Sequence, residues 1–267
     1  MDERKMSQKQ RNYLQMLRRR KRRIAVLQVL IFVLFLLIWE SAVRLSWIDG
    51  FIFSSPSRVV KTFVGMCEDG SIAMHTASTL LETIVSFLLV AVIGTGLAVI
   101  LWYFTELSEI LEPYLVVLNS LPISALAPLL IVWLGANQKS IIVSGMSVAI
   151  FGTVLNLFTG FQEVDPDKIR LIYTFGGTKR NVLTKVVLPG TLPLLLSVMK
   201  VNIGLCLVGV VIGEFIGARQ GLGYLIIYGS QVFRLDHVIM SICVLCVIAV
   251  LLYRILGIAE KICRRRR

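Results

Sequence analysis

Few side chains in this sequence could perform chemistry, and they do not form the sets that enzymes need. The chain has two histidines, His75 and His237, and both fall near the predicted outer ends of apolar segments. Cys243 and Cys246 form a C-x-x-C pair, but the pair lies inside an apolar run without a second pair of metal ligands. Cysteines in such a run usually pack as small hydrophobic residues. The pattern therefore favours structural roles over metal, redox or nucleophilic chemistry.

Three acidic residues stand close together in the longest internal polar segment. They are Glu163, Asp165 and Asp167, and together they could bind a metal ion. Asp165 is followed by Pro166, however, which is the pattern of a capped helix start. We therefore expect these carboxylates to begin a helix and not to form a metal site.

One apolar run near the C-terminus contains two charged residues, Lys200 and Glu214. Their fourteen-residue separation corresponds to about 21 Å along a helix, which excludes a direct ion pair between them. Charged side chains within a membrane span often face a cavity or a partner. The alternative is that each lies near a membrane surface. Glu214 is therefore a candidate residue of a translocation path.

The composition indicates an integral membrane protein. Of the 267 residues, 56% are apolar, and the mean hydropathy is +0.80. The net charge of +12 could suggest nucleic-acid binding. The basic residues, however, cluster at the chain ends and beside the apolar runs, where orientation in a membrane explains them. We therefore exclude nucleic acid as a partner.

The apolar runs predict an all-α membrane protein with six transmembrane helices and a structured cytoplasmic loop. The predicted spans are residues 24–39, 79–103, 115–135, 141–157, 193–215 and 238–256, and the loop is 163–193. With the N-terminus inside, the inner segments contain 20 Lys and Arg and the outer segments 6, which favours both termini in the cytoplasm. We expect a basic segment over 1–23, a membrane domain over 24–257 and a basic tail over 258–267.

The third apolar run contains two prolines, Pro122 and Pro128, that should interrupt its hydrogen-bond ladder. Irregular backbone at membrane depth is tolerated where it is buried in protein or lines a cavity. Asn119, Ser120 and Ser124 would offer polar groups at this break. The pattern predicts either part of a translocation path or a kinked structural helix.

The polar loop between the fourth and fifth spans predicts two short amphipathic helices at a sharp bend. Asp165 caps the first helix, and Gly176 with Gly177 ends it, because glycine favours the left-handed backbone at a helix end. Thr178 can cap the second helix, and Pro189 ends it, because proline lacks an N–H. The predicted apolar faces are formed by Ile169, Ile172, Phe175, Val182, Leu183, Val186 and Val187. Such faces could fit a groove on a partner or lie on lipid headgroups.

Three segments form an ordered set of motifs. They are 121–135 (LPISALAPLLIVWLG), 164–193 (with Asp-Pro, Gly, Val-Leu-Pro and Pro) and 213–226 (GEFIGARQGLGYLI). In order and spacing they resemble the permease subunit of binding-protein-dependent ATP-binding-cassette (ABC) importers of the nitrate, sulfonate and taurine group. The resemblance covers about residues 55–257. One departure is Arg170-Leu171-Ile172, which stands where the family's coupling loop usually has Glu-Ala-Ala, although Gly176 is kept.

The resemblance implies a bacterial inner-membrane importer that works by alternating access. Its partners would be a second permease copy, ABC ATPase subunits inside and a solute-binding protein outside. This chain has no G-x-x-x-x-G-K-[ST] loop, so ATP would be bound by the partner ATPase and no cofactor by this chain. The implied ATPase-coupling residues are Asp165, Ile169, Ile172, Gly176, Gly177, Val187 and Pro189. The expected translocation path comprises Asn119, Ser120, Pro122, Ser124 and Glu214.

Two other function classes remain open from the sequence. An integral-membrane enzyme acting on lipid would need clustered catalytic groups, and an ATP-independent channel would need no ATPase. The solute is also open, with nitrate, sulfonates, taurine and vitamin precursors as candidates.

Overall fold

The computed structural model describes residues 8–265, without the side chains of residues 8–15, 18, 123–124, 259 and 262–265. Within this range the chain is helical and contains no strand. The helices are α1 (Gln8–Arg44), α2 (Gly50–Phe53), α3 (Pro56–Glu68), α4 (Ser71–Leu89), α5 (Thr95–Tyr103), α6 (Thr105–Ser120), α7 (Ile123–Leu134), α8 (Gln138–Gln162), α9 (Pro166–Thr174), α10 (Lys179–Val182), α11 (Leu188–Gly217), α12 (Leu222–Gln231) and α13 (Leu235–Arg265). Two π turns, Val90–Gly94 and Leu183–Val187, join α4 to α5 and α10 to α11.

Five segments of the described chain are long and apolar enough to cross a membrane. They are Arg19–Arg44, Ser71–Tyr103, Gln138–Gln162, Lys179–Gly217 and Leu235–Ile258. A sixth candidate is the pair formed by α6 and α7, which is bent by 102°. The all-α, multi-pass architecture predicted from the sequence is confirmed, and the predicted count of six corresponds to counting the bent pair as one span.

The chain divides into two units, Met1–Thr62 and Phe63–Arg267. In the first unit, Asp49 accepts a hydrogen bond from the N–H of Phe51 and caps α2. The carboxylate of Glu40 accepts hydrogen bonds from the N–H and the hydroxyl of Ser57, at 3.1 and 3.0 Å. These bonds fix the start of α3 against the end of α1 within this unit.

The second unit is centred on the pairing of α8 with α11. A Cβ atom on Gly209 of α11 would lie 2.8 Å from the carbonyl oxygen of Ser144 and 2.9 Å from the Cα of Gly145. The two backbones can approach this closely only because small residues stand at the crossing. The hydroxyl of Ser144 also donates to the carbonyl of Gly209 at 3.0 Å. The α8–α11 pair therefore provides a close-packed scaffold for the other helices.

Pro189 does not end the second loop helix, so that prediction was wrong. The helix continues through the π turn and α11, forming one segment from Lys179 to Gly217. Proline normally disrupts a helix because it lacks an N–H and its ring meets the carbonyl four residues earlier. Here the wider π turn ends at Val187, two residues before Pro189, and changes that spacing. Pro193 likewise lies inside α11, so the fifth span begins well before the predicted residue 193.

The third apolar run breaks once, at Leu121–Pro122, and not at both prolines as expected. α6 ends at Ser120, and Pro122 precedes α7 with an extended ψ of 117°. Pro128 lies inside α7 without ending it. The predicted break is confirmed at Pro122 and is wrong at Pro128.

Candidate functional site

The polar loop after α8 contains helix α9 in the predicted position. The Asp165 carboxylate accepts a hydrogen bond from the N–H of Asp167 at 3.0 Å, and Pro166 is the first helical residue. The cap satisfies one of the free N–H groups at the helix start, and proline at this position loses no bond. Asp165 therefore fixes the start of α9.

α9 ends in a Schellman motif built on the two predicted glycines. Gly176 has a left-handed φ of 73°, and its N–H donates to the carbonyl of Tyr173 at 2.9 Å. The N–H of Gly177 donates to the carbonyl of Ile172, also at 2.9 Å. A Cβ atom on Gly177 would lie 2.8 Å from that carbonyl oxygen, whereas a Cβ atom on Gly176 would meet nothing within 4 Å. Gly177 is thus enclosed by the turn, and Gly176 lies at its open side.

The apolar faces of the loop pack onto the chain's own core and do not form the free docking surface that the periodicity suggested. Val187 is fully buried, and Ile169 and Ile172 pack against a cluster that includes Leu157 and Phe161 of α8. An apolar stripe at helical spacing has the same sequence pattern whether it covers its own domain or a partner. Ile169, Ile172, Val187 and the half-buried Pro189 therefore attach the loop to the bundle.

A different set of residues is exposed on α9, and we call it the loop tip: Leu171, Tyr173, Phe175 and Gly176. The exposed fractions are 55% for Leu171, 48% for Tyr173 and 80% for Phe175. Sequence analysis missed Leu171 and Tyr173 and placed Phe175 on one apolar face with Ile169 and Ile172. The available signal was the presence of large apolar residues outside the periodic positions of a polar loop.

Lys179, at the start of α10, connects the loop to the end of α5. Its ammonium group donates to the carbonyl of Tyr103 at 2.7 Å. The same group lies 5.6 Å from the ring centre of Trp102 and 5.5 Å from that of Tyr103, within the range of a cation–π interaction. Thr178 occupies the predicted cap position, but its side chain makes no capping bond. Lys179 thus joins the loop to the second span.

The structure groups some of the predicted path residues at the bend between α6 and α7. Asn119, Ser120 and Pro122 are exposed there. The Ser120 hydroxyl donates to the carbonyl of Val116 at 2.9 Å, and the Asn119 side-chain oxygen would lie 3.0 Å from a Cβ atom on Gly152 of α8. The side chain of Ser124 lies outside the described part of the structure.

Glu214, the fifth predicted path residue, is packed between helices and is only 1% exposed. Its Oε1 accepts from the hydroxyl of Thr79 on α4 at 2.7 Å. Its Oε2 accepts from the N–H of Gly223 at the start of α12 at 2.6 Å. In this conformation Glu214 therefore joins α4, α11 and α12 and does not face an open path.

A second buried carboxyl group, Glu82 of α4, contacts Glu214 and was missed in the sequence. It is 2% exposed, and its carboxyl group interacts directly with that of Glu214. The available signal was an isolated acidic residue within an apolar span. His75, one turn before Thr79, accepts the N–H of Gly221 at its Nδ1 atom at 3.0 Å, which agrees with a structural role for this histidine.

Lys200 and Glu214 form no ion pair with each other, which agrees with the prediction from their spacing along the helix. Its ammonium group donates to Glu260 of α13 at 2.8 Å and lies 4.9 Å from the ring centre of Tyr253. The pair is partly exposed, with 23% and 26% of the two side chains accessible. Lys200 therefore links α11 to α13.

Comparison with known proteins agrees with the resemblance seen in the motifs. Residues 90–265 match the family model described as the inner membrane component of binding-protein-dependent transport systems. A probable ABC transporter permease of Haemophilus influenzae is 30% identical over 86% of this chain and 94% of its own length. A riboflavin transport system permease of Chloroflexus aurantiacus is 28% identical over 86% of each chain. The taurine transport system permease of Escherichia coli is 25% identical over 81% of each chain.

The fold also has a counterpart among solved structures. An inward-facing conformation of the MetNI methionine ABC transporter aligns with a TM-score of 0.60 and 19% identity, over 70% of this chain and 93% of that chain. The multi-pass helical fold, the capped loop after α8 and the family match over residues 90–265 point to one assignment. The chain belongs to the inner-membrane permeases of binding-protein-dependent transport systems and is a transmembrane subunit of an ABC importer, not an enzyme.

Proposed function

We propose that two copies of this chain form the membrane domain of the importer. ABC ATPase subunits bind on the cytoplasmic side, and a solute-binding protein delivers solute on the outer side. ATP is bound by the partner ATPase, since this chain lacks a phosphate-binding G-x-x-x-x-G-K-[ST] loop. Both termini lie in the cytoplasm, in keeping with the excess of Lys and Arg in the inner segments.

The observation on which this proposal rests is the loop tip, an exposed apolar surface on a rigidly held helix. Phe175 is 80% exposed although it belongs to a polar loop. An aromatic and aliphatic patch of this kind fits a hydrophobic groove on a partner protein. The ATPase is the partner that the importer family requires on this side of the membrane. We therefore infer that the ATPase binds at Leu171, Tyr173, Phe175 and Gly176.

The attachment of α9 supports transmission of ATPase motion to the spans. Ile169 and Ile172 pack on the core beside α8, α10 continues directly into α11, and Lys179 holds the end of α5. A movement imposed on the loop tip therefore acts on α5, α8 and α11 together. This arrangement suits alternating access, in which ATPase closure changes the side to which the cavity opens.

The translocation path of this proposal passes the bend between α6 and α7. The bend leaves irregular backbone at Leu121 and Pro122, which a membrane tolerates only beside protein or water. Asn119 and Ser120 are exposed polar residues at this bend, and the sequence has a further hydroxyl residue, Ser124, two positions after Pro122. A small solute of the sulfonate and taurine type, or a vitamin or vitamin precursor, fits the range of substrates named for the relatives.

The proposal is tested by reconstituting the chain with its ATPase and binding protein in lipid vesicles. We expect solute uptake to require ATP, the ATPase and the binding protein together. Gly176→Asp should reduce uptake while leaving membrane insertion unchanged. Uptake in vesicles that contain only this chain, without ATPase, would contradict the proposal.

A further inference from the structure

Two buried carboxyl groups meet near the end of the bundle where α4 and α8 begin and α11 ends. Glu82 of α4 is 2% exposed and Glu214 of α11 is 1% exposed, and the two groups interact directly. None of the ion pairs found among the described residues involves either of them. Two adjacent negative charges in a buried site without a positive partner are strongly destabilising.

The hydrogen bonds identify Glu214 as the member of the pair that is held as a carboxylate. The N–H of Leu222 donates to the hydroxyl oxygen of Thr79 at 2.8 Å. The hydroxyl proton of Thr79 is therefore available to Glu214 Oε1 at 2.7 Å. The N–H of Gly223 donates to Oε2 at 2.6 Å. Both oxygens of Glu214 thus accept hydrogen bonds, which is the arrangement that stabilises a negative charge.

Glu82 has weaker support. Its Oε1 accepts a long bond from the Ser78 hydroxyl, at 3.4 Å, and its carboxyl group also interacts with the side chain of Gln138. Its Oε2 is buried and has no hydrogen-bond partner among the described residues. A second full negative charge at this position would face the carboxylate of Glu214 without an ion-pair partner among the described residues. The site is therefore complete only with one positive charge beside Glu82.

A polar cleft gives access to this position. It has a volume of about 270 Å³ and is lined in part by Ser78, Glu82, Asn137, Gln138 and Arg219. A water molecule occupies about 30 Å³ in the liquid, so the cleft has room for water and a small ion. Hydroxyl, amide and carboxylate oxygens are the ligands that hard cations prefer. Arg219 itself is exposed and forms no ion pair within the described part of the chain.

The other titratable groups near the site are already engaged or point away. On α4, His75 accepts the N–H of Gly221, and its ring stacks on that of Tyr224 of α12 at 6.0 Å. The side chain of Lys139 at the start of α8 is exposed. On α13, His237 packs beside Gly229.

We propose that Glu82 and Glu214 bind one small cation, a proton or an alkali-metal ion, in the cleft beside Ser78 and Gln138. The bound ion allows α4 to remain against the loop of Gly221–Gly223, which the carboxylate of Glu214 holds in place. The loop fits closely around that carboxylate, because a Cβ atom on Gly223 would lie 2.7 Å from Glu214 Oε2. Loss of the ion leaves two facing negative charges and separates α4 from α11. Ion occupancy would thus stabilise the closed form of this end of the bundle.

The test is the thermal unfolding of the purified full-length chain in detergent. In one series, sodium or potassium replaces a bulky organic cation at constant ionic strength. In a second series, the pH is varied in the absence of alkali ions. We expect the melting midpoint to rise by about 5–10 °C when the free concentration of the cation is about a hundredfold above its dissociation constant. A response to sodium or potassium at fixed pH identifies an alkali ion, and a rise on acidification alone identifies a proton.

Glu82→Gln is the decisive variant, because its amide is neutral, similar in size and able to donate to Glu214. We expect its midpoint to equal or exceed that of the wild type and to be insensitive to the titrated cation. Glu106→Gln, an exposed carboxylate, is the matched control and should respond as the wild type does. If Glu82→Gln does not fold, Glu82→Met replaces it.

Two results would overturn the proposal: a wild-type midpoint insensitive to both titrations, or an unchanged response in the neutral Glu82 variants. The measurement requires no ATPase, solute or binding protein. Its failure would therefore leave the importer function untouched.

Discussion

Substitutions of Gly176 can distinguish two effects. One is the energy of the left-handed backbone conformation at this position, and the other is the contact of the loop tip with a partner. The residue has a φ of 73°, and a residue with a Cβ atom pays about 1–2 kcal/mol in this left-handed region. A Cβ atom there would meet nothing within 4 Å, so no steric clash adds to that energy. We expect Gly176→Ala to lower the unfolding free energy by about 1 kcal/mol, or the melting midpoint by about 2–4 °C.

The charged variant at the same position tests docking. Gly176→Asp should insert and melt much as Gly176→Ala does, because the site is open. A docked ATPase, however, would have to cover the new carboxylate at a cost of at least about 1.4 kcal/mol, which is a tenfold loss of affinity. Gly176→Asn is the matched control, because asparagine has the same shape, tolerates the left-handed conformation and bears no charge. Recovery of each variant with a tagged ATPase measures the difference.

The outcome distinguishes two roles of Gly176 at the end of α9, a turn-forming role and a contact with the ATPase. If Gly176→Asp lowers ATPase recovery at least about tenfold while Gly176→Asn keeps most of it, the open side of Gly176 is a contact surface. Equal recovery of both variants at the wild-type level would refute the argument. Gly177→Ala provides an internal standard for damage to the turn itself, because its Cβ atom would lie 2.8 Å from the Ile172 carbonyl oxygen.

Three further predictions concern attachment, topology and the path. Lys179→Met should lower ATP-driven uptake more than Lys185→Met, because only Lys179 donates to the carbonyl of Tyr103; similar uptake by the two variants would show that this bond does not transmit motion. An impermeant thiol reagent applied outside intact cells should label Cys67, which is exposed, and not Cys263, whereas the reverse pattern would invert the topology. Ser124→Trp should block uptake without reducing ATPase recovery, and normal uptake would remove this position from the path.

The parts of the fold that could be predicted are those encoded within one element. Long apolar runs predicted the spans, and the Asp165–Pro166 pair predicted the start of α9, because a cap and its helix are neighbours in sequence. Pro189 was misjudged because the effect of a proline depends on the turn before it. The π turn at Leu183–Val187 relieves that effect, and the apolar residues of this segment gave no sign of it.

The site could be predicted only in part. Tertiary packing decides which face of a loop helix is buried and which residues distant in sequence come into contact. Ile169 and Ile172 show the spacing of an apolar face, but the spacing does not say whether the face covers the chain's own core or a partner. Glu82 and Glu214 are 132 residues apart in the chain, so their contact has no local signature. An acidic residue in an apolar span was visible at both positions, and only the fold shows that they meet.

The most direct test of the coupling account is site-specific photo-crosslinking on α9 in the assembled transporter. A photoreactive residue at position 175 should form a crosslink to the ATPase, because Phe175 is 80% exposed. The same residue at position 172 should form none, because Ile172 packs against the core of its own chain. Crosslinking to the ATPase from position 172 but not from position 175 would contradict the account.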